Sequence, residues 1–279
     1  MPDFNARLRA AQSARASALC VGLDPDPERL PAHLLAAHPR PEATLRFTRA
    51  IIEATAPFAC AFKVNFAFYE ALGPDGWHVL SETIAAIPDT HLVIADAKRG
   101  DIGNSARFYA DSIFDALGCD ACTVAPYMGR DSVTPFLERE GTAAFVLART
   151  SNPGGDDFQL CRCGSTPLFL DVAERCAEWS RELPGTAGLV AGATNPEALG
   201  QLRRAAPTLP FLIPGVGAQG GDATLVMQHA ATDDSLVLVN SSRGILYAAS
   251  GEDFAEAAAA KADTLRQTLQ AAQSSAGNG

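Results

Sequence analysis

The sequence predicts an α/β protein folded as one (β/α)8 TIM barrel, and three observations carry that expectation. Eight short apolar segments recur along the 279 residues, helix-like stretches separate them, and charged and amide side chains gather where the apolar segments end. The segments are Ala18–Asp24, Ala59–Asn65, His91–Lys98, Ala121–Pro126, Ala143–Thr150, Gly188–Thr194, Phe211–Gly217 and Ser235–Ser242. Each is a strand-length apolar run without sustained polar alternation, the pattern of a parallel strand buried on both faces.

The intervening stretches have helix signals. Residues Asn5 to Ala14 form an extra helix able to close the barrel floor. Asn104 is placed to cap Ser105–Leu117, which Gly118 ends; Thr166 with Pro167 opens a run to Leu183; Asn195 with Pro196 and Glu197 opens the next. Phe254 to Gln270 supplies the last outer helix. A single barrel domain over residues 1–273 results, and the small, polar 274–279 read as a disordered tail. Two connections, Pro25–Arg40 and Asn152–Thr166, exceed the usual length. Both follow a strand, so both belong to the face where barrels build active sites. A doubly wound open sheet would show a glycine-rich turn after its first strand. Here that strand runs into Asp24-Pro-Asp-Pro27, which favours the barrel.

Composition narrows the function. A formal charge of −10 and a pI near 4.9 disfavour nucleic acid and anionic membrane as partners, since both need a basic face. No apolar run approaches the roughly 18 residues of a membrane span, and the start MPDFNARLRA lacks the apolar core of a secretory signal, so a cytoplasmic location is expected. Seven cysteines in a chain this large read as reduced thiols. Cys119 and Cys122 have metal or redox spacing, but Cys161 and Cys163 stand one residue too close to make the second pair. The five histidines form no ligand pattern, so no metal site is expected.

The chemistry concentrates in Asp96-Ala-Lys-Arg-Gly-Asp101, directly after the third apolar run. Strand alternation points Asp96 and Lys98 the same way, and Gly100 and Gly103 free the chain to bring Asp101 back towards them. A lone Asp and Lys make an ordinary ion pair. Lys63, on the neighbouring strand, adds a second ammonium, and stability alone rarely requires such an alternating array. Asp24, Asn65, Ser151, Gln219 and Arg243 stand at or just past other strand ends, which a barrel brings to one mouth. After the seventh segment, Gly215-Val-Gly-Ala-Gln-Gly-Gly221 exposes backbone N–H groups next to a helix start near Asp222, and Ser241-Ser-Arg243 follows the eighth. Loops after strands seven and eight are the recurrent phosphate site of this fold, and Arg243 can chelate two phosphate oxygens. A phosphorylated substrate is therefore expected.

Together these residues resemble the orotidine 5′-monophosphate decarboxylase family along almost the whole chain. The carriers are Phe62-Lys-Val-Asn65, Asp96-Ala-Lys-Arg-Gly-Asp101, Thr150-Ser-Asn-Pro-Gly154, Gly215-Val-Gly-Ala-Gln-Gly-Gly-Asp222 and Ser242-Arg243. The DxKxxD element alone specifies a superfamily; the ordered set is specific, and Gly192-Ala-Thr-Asn-Pro-Glu197 resembles the longer bacterial branch. The resemblance implies decarboxylation of orotidine 5′-monophosphate to UMP, the last step of pyrimidine biosynthesis, with no metal or organic cofactor. It makes Lys98 the proton donor at C6, flanked by Asp96, with Lys63 and Asp101 completing a charged tetrad. It assigns Asp24 and Lys63 to the ribose, Ser151 to the pyrimidine edge, and Gln219 with Arg243 to the phosphate. It also implies a homodimer in which Asp101, Ile102 and Ser105 serve the partner's site; Ser105 stands where many members have threonine. Two other readings compete. A sister phosphosugar decarboxylase would need Mg²⁺ on an additional acid, which is not found beside Asp96. A non-catalytic phosphoribosyl-nucleotide-binding barrel would have no use for both lysines and both aspartates.

Overall fold

A computed structural model describes residues 2–216, 220–232 and 236–276. Among them eight parallel strands close a barrel: β1 (Leu19–Leu23), β2 (Ala61–Asn65), β3 (Leu92–Arg99), β4 (Ala121–Val124), β5 (Ala143–Arg149), β6 (Thr186–Ala191), β7 (Phe211–Pro214) and β8 (Val237–Ser241). Each strand pairs with its sequence neighbours, and β1 closes the ring on β8, with Leu19 opposite Val239. All eight expected segments are strands. The expected ends differ by a few residues, and β6 starts two residues before Gly188.

Alternation divides each strand between two cores. Inward-facing Cys20, Ala61, Leu92, Ile94, Ala121, Ala143, Phe145, Val190, Leu212 and Leu238 fill the barrel, while alternate residues such as Val21, Phe62, Val93 and Val146 pack beneath the outer helices. Small residues let a large one fit inside: a Cβ on Gly188 would lie 2.7 Å from the Phe145 ring.

The floor helix forms over Phe4–Arg15. Asp3 caps it by accepting the Ala6 N–H at 2.7 Å, and Ala16 ends it in the left-handed region at φ 46°. Phe4, Leu8 and Ala11 join the inner core, Phe4 meeting Phe145 edge to face at 5.9 Å. This plug closes the bottom of the barrel, so the interior opens to solvent at the other end. The last helix, Phe254–Ala276, stacks Phe254 on Phe47 of the helix Arg40–Thr55 at 5.2 Å. It continues past Gln270, so 274–276 are helical rather than tail; residues 277–279 lie outside the described residues.

The helices start where the sequence signals place them in two of three cases. Asn195 does cap Pro196–Ala205, accepting from the Ala198 N–H at 3.0 Å, and Leu168–Glu182 follows Pro167 as expected. Asn104 is not a cap: the helix begins at Gly103, whose φ of 55° turns the chain one residue earlier. It then widens into a π turn over Asp111–Ala116 before Gly118. All seven cysteines are unpaired, and burial pushes Cys60, Cys119 and Cys176 up to about 12, so these three are inert thiols. No described helix is long and apolar enough to cross a membrane.

Candidate active site

At the C-terminal mouth lies a cavity of about 290 Å³, walled by residues from β1 to β8 and the loops beyond them. Asp24, Lys63, Asn65, Asp96 and Lys98 form one side. Thr150, Ser151 and Asn152 line it beyond β5, Gly215 and Val216 beyond β7, and Ser242 with Arg243 beyond β8. Since β7 is four strands from β3 in either direction round the ring, Gly215 and Val216 face Lys98 across the mouth.

The charged groups form a chain of contacts. Lys63, only 4% exposed, donates from Nζ to Asp96 Oδ2 at 2.8 Å and reaches Asp24 Oδ1 at 3.4 Å. The other oxygen of Asp96, Oδ1, accepts from Lys98 Nζ at 2.6 Å and from Thr123 Oγ1 at 2.9 Å. Asp96 is thus bound by three donors on β2, β3 and β4. Burial alone would raise its pKa, but the Lys63 and Lys98 ammonium groups outweigh that and hold it far below the usual carboxylate range. Lys63 is the converse: burial lowers its pKa, and Asp24 and Asp96 more than reverse the effect. Both groups therefore stay charged at neutral pH.

The linkage has a definite sign. Asp96, depressed on folding, contributes stability that is complete above the ordinary carboxylate range and lost as pH falls below it. Lys63, raised on folding, contributes stability that is present below the ordinary lysine value and lost as pH rises beyond it. Comparison of denaturant midpoints for Asp96→Asn and the unmutated protein should give a full gap at about pH 7 that narrows below about pH 4. A gap independent of pH would contradict the ionised, cation-paired carboxylate.

The way Lys98 reaches Asp96 differs from the expected alternation. Between Ala95 and Arg99, β3 slips against β4, so that Ala95 pairs with Cys122 but Arg99 with Val124. Within this bulge Lys98 sits at φ 45°, left-handed and strained for a side chain with a Cβ, and its N–H is held by Thr123 Oγ1 at 3.0 Å. The bulge, not strand pleating, aims the ammonium. Lys98 remains half exposed at the mouth, whereas Lys63 is sunk into the wall.

Asp101 is not brought back to this cluster within the chain. It does not line the cavity; its carboxylate accepts the N–H of Ile102 at 2.8 Å. Ile102 and Ser105 are exposed and likewise outside the cavity. Gln219 lies outside the described residues. The helix start expected to assist an anion is already taken, since Asp222 Oδ1 accepts from Thr224 and Leu225 N–H at 2.7 and 3.1 Å. Gly215, at φ 100°, is left as the described backbone turn at that wall. Among the described residues no cluster of three histidine, cysteine or acidic side chains could hold a metal.

Three further residues shape the site. Thr123 joins both ends of the Asp96–Lys98 turn, and its inward parity in Ala121-Cys-Thr-Val124 was the available signal. Asn240, buried in the wall, donates to Ser242 Oγ at 3.3 Å. Gly22 gives both room: a Cβ there would fall 1.9 Å from Ser242 Oγ and 3.1 Å from Asn240 Oδ1. No local motif marks that close approach.

Fold and site together define a barrel enzyme whose chemistry rests on a strand-end array of lysines and carboxylates. A family profile described as Orotidine 5'-phosphate decarboxylase / HUMPS family matches residues 17–260, and the chain belongs to that family. It is 47% identical over 271 residues to the orotidine 5'-phosphate decarboxylase of Dehalococcoides mccartyi, covering 95% of this chain and 97% of that protein. It is 50% identical over 258 residues to the protein of that name from Herpetosiphon aurantiacus, covering 91% and 93% respectively. The structure of Leishmania donovani OMP decarboxylase superposes with a TM-score of 0.80 at 39% identity, covering 95% of this chain and all of that one.

Proposed function

We propose that the protein is an orotidine 5′-phosphate decarboxylase, releasing CO₂ from C6 of orotidine 5′-monophosphate to form UMP, and that Lys98 supplies the charge and proton the reaction needs. The observation that carries this reading is the unbroken Asp24–Lys63–Asp96–Lys98 contact chain, ending in a half-exposed ammonium at the mouth of the cavity.

When the C6–carboxylate bond breaks, its electron pair stays on a ring carbon that delocalises it poorly. A cation already in place stabilises that localised charge without reorganising at the moment of reaction. Asp96 holds the Lys98 ammonium in position; the ammonium then donates a proton to C6 as CO₂ departs. Asp96 also opposes the substrate carboxylate, which destabilises the bound ground state. Asp24 and Lys63 are assigned to the ribose and Ser151 to the pyrimidine edge. The phosphate is assigned to Arg243 and Gln219, remote from the reacting bond, where its binding energy can be expressed in the transition state.

The active unit in this reading is a homodimer. Asp101, Ile102 and Ser105 lie on an exposed segment that also presents Phe108 and Tyr109, with Tyr127 and Met128 exposed after β4. Ser105, Phe108 and Tyr109 share one helix face by their three- and four-residue spacing. An apolar surface of this kind favours a partner, and a second copy would bring Asp101 towards the neighbouring Lys98.

Incubation with orotidine 5′-monophosphate should abolish the orotate absorbance and release one CO₂ per UMP, at a rate unaffected by EDTA. Unchanged absorbance would point to a non-catalytic nucleotide-binding barrel. Loss of activity on chelation would point to the metal-dependent sister activity.

A further inference from the structure

The turn bearing Ser151 is held by a side-chain network outside the lysine–carboxylate array. Arg149, the buried last residue of β5, donates from Nη2 to Asp156 Oδ1 at 2.5 Å and from Nη1 to Gln159 Oε1 at 3.1 Å. The same Gln159 oxygen accepts the Thr150 N–H at 2.9 Å. Gln159 Nε2 donates to Thr150 Oγ1 at 2.8 Å, and that hydroxyl passes its own hydrogen to Asn152 Oδ1 at 2.7 Å. One amide therefore grips both the backbone and the side chain of the residue before Ser151.

Two glycines make the arrangement possible. A Cβ on Gly155 would lie 2.9 Å from Gln159 Oε1, 3.0 Å from Thr150 Oγ1 and 3.1 Å from Arg149 Nη1, within the heart of the network. A Cβ on Gly192 would lie 2.7 Å from the backbone nitrogen of Ser151, so the end of β6 supports the turn from the other side. Thr150, Ser151 and Asn152 line the cavity, whereas Arg149, Asp156 and Gln159 do not. Phe158 and Leu160 in the same connection are exposed, so it is the polar grip rather than apolar packing at these residues that ties the segment to the strand end.

We infer that Gln159, together with Arg149, is a positioning residue for recognition of the base: it fixes the Thr150–Asn152 turn so that Ser151 meets the pyrimidine edge. This rests on the nucleotide reading above. Amides satisfied at both ends are costly to replace, because their partners are left unpaired in a partly buried site.

The test compares binding of UMP with binding of ribose 5-phosphate, which has no base, by titration calorimetry on the whole protein. Gln159→Ala should weaken UMP by about tenfold or more while changing ribose 5-phosphate by less than about twofold. Gln159→Glu keeps the two accepted bonds and should recover most of the lost UMP affinity. Equal weakening of both ligands, or unchanged UMP affinity, would overturn the inference. If Gln159→Ala does not fold, Thr150→Val removes the hydroxyl that Gln159 holds and reads the same difference. An unmutated protein that binds neither ligand would instead overturn the nucleotide reading itself.

Discussion

Lys98→Ala should still bind UMP yet lose turnover by about 10³-fold or more, because the change removes a preorganised cation and a general acid together. The fold should tolerate it. The side chain is half exposed, and Asp96 keeps Lys63 and Thr123 as partners after the ammonium has gone. Binding is measured by UMP titration, turnover by CO₂ release at saturating substrate. Near-normal turnover would remove Lys98 from the reaction. Weakened UMP binding with turnover intact would make it a ground-state contact only.

Chains carrying Lys98→Ala and chains carrying Asp101→Ala should each be inactive alone and should regain activity when exchanged with one another. In a symmetric dimer whose sites each draw Lys98 from one subunit and Asp101 from the other, half of a statistical mixture is mixed dimer with one complete site, giving about a quarter of full activity. Asp101 lies outside its own chain's cavity on an exposed segment, which is the arrangement this outcome requires. Subunit exchange is followed by tagging one variant. Demonstrated exchange without recovered activity would mean that each site is built from a single chain.

Much of the barrel is legible because its signals are local. Strands buried on both faces must be apolar throughout, so runs such as His91-Leu-Val-Ile-Ala95 stand out, and cap residues such as Asn195 act within three positions. Lys63, Asp96 and Lys98 stand out for a related reason: charge following an apolar strand requires a partner. Residues whose partners are distant in the chain are harder to find. Thr123 looks like any β-branched strand residue until β4 is set beside the bulge. Gln159 looks like a loop amide until its short helix folds back over Thr150. The helix start near Asp222 reads from the sequence as part of an anion site; in the structure the Asp222 carboxylate itself accepts the Thr224 and Leu225 N–H groups, a capping role the sequence reading does not assign.

By itself the sequence determined the eight strand–helix units, the floor helix, and the set of ionic side chains delivered to one mouth, since hydrophobic periodicity and strand-end position follow from composition within a short window. Only the tertiary structure decided how those charges meet. The slip of β3 against β4 and the left-handed turn at Lys98 depend on backbone hydrogen bonds and packing between separate strands. They bring Lys98 to the same side of the cavity as Asp96 by a bulge rather than by simple alternation, while Asp101, accepting the Ile102 N–H, lies outside its own chain's cavity.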